Sequence, residues 1–117
     1  MSAKSTECYT TDSHARCLRV EISATQSLLL PLDQFAFSEL VGDGKEQKLR
    51  LVFATHEVLV LGHTLRRIET AMQRMELSSV MQLPEKFQSL IGENQPKIRG
   101  IVITEIQPGN ANTSALN

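Results

Sequence analysis

The chain has 117 residues, a formal net charge of −1 and 41% hydrophobic residues, the size and content of one domain with a core of its own. Twelve Lys and Arg against thirteen Asp and Glu leave no overall field to draw in nucleic acid or an anionic membrane surface. Apolar runs such as Leu28-Leu29-Leu30 and Val58–Leu61 fall far short of the roughly 20 residues of a membrane helix, and four Phe, one Tyr and no Trp leave few platforms for stacking bases.

The first 16 residues carry no apolar stretch of the kind a secretory leader needs, so the expectation is a cytoplasmic protein with Cys8 and Cys17 as reduced thiols. Residues 1–15 are rich in Ser, Thr and charge and read as a mobile arm. Residues 107–117, with Pro108-Gly109, read as a flexible tail. Residues 16–106 are then a single α+β domain.

Within it, Leu18, Val20 and Ile22 alternate with Arg19, Glu21 and Ser23, the period of a half-buried strand. Leu28, Leu30 and Leu32 share one parity, Phe35 and Phe37 the other, and Pro31 and Asp33 at the change predict a bend or an edge position. Gly42-Asp43-Gly44 is a turn signal. Leu49, Leu51 and Phe53 oppose Arg50, Val52 and Ala54, and Val58 and Val60 oppose Leu59 and Leu61. Apolar residues on both faces predict a strand covered on both sides. A tight turn at residues 54–57 splits this stretch into two strands, one long bent strand being the alternative.

After Gly62 the period changes. Leu65, Ile68, Met72 and Met75 fall at helical spacing, Ala71 lies beside them, and Thr64 is the candidate N-cap. Ser78-Ser79 reads as the end of that helix. Pro84 opens a short second helix with Phe87, Leu90 and Ile91 as its stripe, stopped at Gly92. Residues 97–106 alternate again, Ile98, Val102 and Ile106 against Ile101 and Ile103. Strands, then helices, then a strand predict an α+β fold, a mostly antiparallel sheet of about five strands with one amphipathic helix and a short second helix on one face.

Chemistry has few footholds. The corner Gly62-His63-Thr64-Leu65-Arg66-Arg67 presents a helix N-terminus, whose amides and partial positive charge attract anions. His63, Thr64, Arg66, Arg67 and His56 are the candidate ligand-binding residues. No phosphate-loop or dinucleotide spacing surrounds Gly62, and a capped corner with solvated arginines accounts for the same residues. His56, Glu57, His63 and Glu69 are the residues to nominate for acid–base work, but His56 and His63 lie on opposite parities of one strand. Cys8, His14 and Cys17 form a C-x5-H-x2-C set that lacks the usual spacing and a fourth ligand for zinc. Arg66, Arg67 and Arg74 interleave with Glu69 and Glu76 as a mixed-charge helix surface. Met72 and Met75 read as core, Met81 as a residue able to reach a surface contact.

No catalytic residue, metal site or cofactor is assigned, and the reading leans away from an enzyme. The leading expectation is a protein-interaction or accessory domain that self-associates as a homodimer or binds a protein partner. It rests on more two-faced apolar strand than one helix can cover. The alternatives are a small module for an anionic ligand or nucleic acid at the helix corner and, behind it, a small enzyme using His56 and His63.

Overall fold

A computed structural model describes residues 8–43, 45–88, 92 and 94–106. In chain order its strands are β1 (Tyr9–Thr11), β2 (Cys17–Ser23), β3 (Gln26–Pro31), β4 (Phe35–Gly42), β5 (Gln47–Phe53), β6 (His56–His63), β7 (Leu77–Met81) and β8 (Lys97–Glu105). One helix, α1 (Arg66–Gln73), leads from β6 to β7, and a single helical turn, Glu85–Gln88, lies between β7 and β8. The strands form two four-stranded sheets, sheet A in the order β1-β7-β2-β3 and sheet B in the order β4-β5-β6-β8. The α+β character and the mostly antiparallel pairing agree with expectation. The count does not: the described residues form eight strands in two sheets with one helix, where about five strands and two helices were expected. Residues 1–7 of the expected 1–15 arm, the tail at 107–117 and the Leu90-Ile91 part of the second helix lie outside the described residues.

Strands β4, β5 and β6 of sheet B form a meander built as the alternation predicts, and β8 joins beside β6 after the chain has passed through α1 and β7. Gly42, at φ 111°, ends β4, and the Asp43 carboxylate accepts the Lys45 and Glu46 amides, which turns the chain into β5. The stretch after it is a hairpin and not one bent strand, with Val52 opposite Glu57 and Ala54-Thr55 between the strands. Leu49, Leu51 and Phe53 on β5, and Val58 and Val60 on β6, are buried. Gly62 is required where β6 meets β8, because a Cβ there would collide with the Lys97 carbonyl.

Sheet A contains the two strands that residue periodicity does not reveal. Tyr9–Thr11, expected within the arm, is β1, and Leu77–Met81, where Ser78-Ser79 was expected only to end the helix, is β7. β7 lies between β1 and β2, antiparallel to the first and parallel to the second. The helix stops earlier than its apolar stripe suggests. The Glu76 amide donates to the Ala71 carbonyl and the Met75 amide to the Met72 carbonyl, the paired closure of a Schellman motif. Met75 takes the left-handed position usually given to glycine, with φ 58°, so it is exposed at the surface and not in the core.

Four irregularities correct the alternation. Ile22 is an extra residue in β2 opposite β3, which turns it to solvent although Leu18 and Val20 are buried. Ala36 is extra in β4, so Phe35 packs edge-on against Phe53 (5.5 Å between centroids) while Phe37 faces outward. Arg99 is extra in β8, which brings Ile98 to the same side as Ile101 and Ile103 and leaves Val102 outside. Ser78 is extra in β7, and Thr10 contacts both Ser78 and Ser79 hydroxyls, at 2.7 and 2.6 Å. Each is a β-bulge, which shifts side-chain phase by one residue.

The inward side chains of both sheets join those of α1 (Ile68, Ala71 and Met72) and Leu65 in one apolar core. Among the described residues no polar or charged residue is buried in it. Two stability predictions follow from these elements. Leu77→Ala, which opens a cavity beside the middle strand of sheet A, should cost about 3 kcal/mol in chemical denaturation. Met75→Gly, which removes a side chain from a left-handed position, should raise stability by about 1 kcal/mol and increase Tm.

Candidate functional site

The strand-to-helix corner carries most of the residues singled out from the sequence. His63 ends β6, and its Nδ1 lies 3.0 Å from the Thr64 hydroxyl. Thr64 sits in the left-handed region (φ 56°), and the helix begins one residue later than expected, with Leu65 in the capping position. The Leu65 amide is taken by the Gln47 side-chain oxygen at 2.7 Å. A side chain 18 residues earlier therefore satisfies an amide of the helix entry. Arg66 reaches Glu69 at 3.7 Å, and Arg66, Arg67 and Arg74 are exposed.

The other nominated residues are dispersed. His56 opens β6 seven residues before His63, roughly 20 Å away at strand rise, and its Nδ1 lies 2.8 Å from the Thr55 hydroxyl. Glu57 turns to Arg50, not to either histidine. Cys8 is buried with its thiol against the Pro96 carbonyl at 3.4 Å, Cys17 is exposed, and His14 contacts Asp12 and Ser13. Among the described residues no three His, Cys, Asp or Glu side chains converge at metal-binding distance.

The feature with the most organised side chains is one the sequence did not reveal, the outer face of sheet B. Strand register sets it out as three rows: Phe37, Val52, Glu57 and Thr104; Glu39, Arg50, Leu59 and Val102; Val41, Lys48, Leu61 and Gly100. Arg50 stands near the middle. Its Nη1 donates to Glu39 Oε1 at 3.0 Å, its Nε lies 3.3 Å from Glu57 Oε2, and its guanidinium carbon lies 5.6 Å from the Phe37 ring centroid. Hydrogen bonding to Glu57 and then to Glu39 holds the guanidinium pKa above its already high ordinary value. Around this cluster are six apolar side chains, of which Phe37, Val41 and Val102 are 47, 53 and 49% exposed. A shallow pocket of about 430 Å³, lined in part by Val41, Lys48, Leu61 and Arg99, opens at the end of the third row. The one sequence signal for this face was the apolar character of both sides of β5 and β6.

Comparison with known proteins finds no family model, no curated relative and no solved structure that matches the chain. Among the described residues no helix is long and apolar enough to cross a membrane. Gln47→Ala, which leaves the Leu65 amide without its acceptor, should lower stability by about 1 kcal/mol in thermal or chemical unfolding.

Proposed function

We propose that this chain is a non-enzymatic interaction domain that self-associates, covering the outer face of sheet B with the same face of a second copy. The observation that carries the reading is the difference between the two outer faces. On sheet A the outward rows hold Thr10, Ser79, Arg19 and Leu29, then Met81, Glu21 and Ser27, so the apolar side chains Leu29 and Met81, like the exposed Ile22, stand apart among polar ones. On sheet B Phe37 pairs with Val52, Leu59 pairs with Val102 and stands next to Leu61 on β6, and Val41 shares the face across Lys48 from Leu61. Scattered exposed apolar residues are ordinary on any surface, whereas a contiguous patch signals a contact.

Size and charge both favour a second copy. Four strands about 4.8 Å apart, with a rise of about 3.3 Å per residue, outline a face of roughly 500 Å² before side-chain relief is added. That is more than half of the ~800 Å² per partner buried in stable interfaces. The face carries two cations, Arg50 and Lys48, and two carboxylates, Glu39 and Glu57. A neutral, balanced surface complements itself, whereas a strongly basic or acidic partner would meet as much repulsion as attraction. An isologous two-fold contact is also the commonest way for one chain to cover such a patch.

Sedimentation equilibrium of the full chain should show a dimer at micromolar concentration. Val102→Glu, on the outer face of sheet B, should weaken it by about tenfold or more. Leu29→Glu, equally exposed on sheet A, should leave it unchanged. A chain that stays monomeric at high concentration would overturn the reading.

A further inference from the structure

The second copy, if it covers this face, must also satisfy the charges on it. Arg50 serves two carboxylates, Glu39 and Glu57, so the cluster holds one more negative charge than positive. Lys48 lies two residues along β5 on the same face, and among the described residues it has no ion-pair partner. Glu39 is the more open of the two carboxylates, with 55% of its side chain exposed against 29% for Glu57. Arg50 donates to Glu39 Oε1, and the exposed carboxylate has further lone pairs with which to accept.

Ion pairs on an open surface add little to the stability of a monomer. The same charges become expensive when a covering surface strips their water, unless each finds a partner. We infer that Lys48 of each copy meets Glu39 of the other, twice across a two-fold axis, and that this reciprocal pairing fixes how the copies stack. The inference rests on the self-association proposed above. It gives Lys48 the partner it lacks, neutralises the surplus carboxylate, and makes Arg50 a positioning residue that holds Glu39 for the contact. The apolar side chains around the cluster supply the driving force, while the ion pairs select one register among the many that two flat apolar faces would otherwise accept.

Charge reversal tests the pairing directly. Lys48→Glu and Glu39→Lys should each weaken self-association by about tenfold or more, because each sets like charges against one another. Mixing the two single variants should restore a dimer, since a mixed pair has opposite charges at both contacts. Circular dichroism and thermal unfolding of each variant establish that the fold is retained, and the conservative pair Lys48→Gln and Glu39→Gln provides a second series if a reversed charge disturbs Arg50. In that series each substitution should weaken the dimer less than the reversal does. A wild-type chain that is only monomeric sinks the self-association reading itself. A wild-type dimer that survives both reversals undiminished, or two dissociated variants that fail to associate on mixing, overturns this pairing while leaving self-association standing.

Discussion

The fold depends on a pairing between distant parts of the chain, the insertion of β7 between β1 and β2. Arg19, Val20 and Glu21 pair in parallel with Ser79, Val80 and Met81, some 60 residues further on, and β1 has no other partner in its sheet. A parallel pair needs a long crossover, and here the crossover consists of β3, three of the four strands of sheet B (β4, β5 and β6) and α1. The inner face of sheet A, with Leu18, Val20, Leu30, Leu77 and Val80 buried, is complete only once β7 is in place. The helix has eight residues, which is marginal in isolation. Its packing of Ile68, Ala71 and Met72 into the shared core is what stabilises it and delivers the chain from one sheet to the other.

What could be read from the residues was the local part of this arrangement. The β5–β6 hairpin, β2, β3, β8 and the body of α1 show in their periodicity, because each buries one face or stripe. β7 does not show. Leu77 and Val80 are spaced for a helix and not for a regular strand, and Ser78-Ser79 resembles a helix end; both side chains face inward only because the bulge at Ser78 shifts the phase between them. Met75 extended the apparent helix because its spacing fits the stripe. The Schellman closure that expels it has no glycine to announce it. The bulges account for the remaining differences. Ile22, Phe37 and Ile98 each face the way their own strand's alternation argues against, because the extra residue is defined by register with a neighbour.

The candidate sites divide along the same line. The contact between His63 and Thr64 is local and could be anticipated, while the capture of the Leu65 amide by Gln47 could not. The cluster around Arg50 joins residues 39, 50 and 57 from three strands, so it exists only after the register of sheet B is known. Two-sided apolar strands announced an apolar second face, but the position of the charges within that face comes from pairing alone.

The four bulges have a consequence beyond side-chain phase. The outermost strands of the two sheets are β1, β3, β4 and β8, and the ladder attaching each of them contains one bulge. An outermost strand presents a row of unpaired amides and carbonyls on which another strand can template, and local twist is one of the means by which proteins spoil that template. Here β1 is only three residues long, β3 ends in Pro31, and β4 and β8 carry the extra residue themselves. The margins of both sheets are thus poor seeds for open-ended strand addition. The molecule can expose apolar side chains on a sheet face without offering long, regular strand margins from which a fibre could grow.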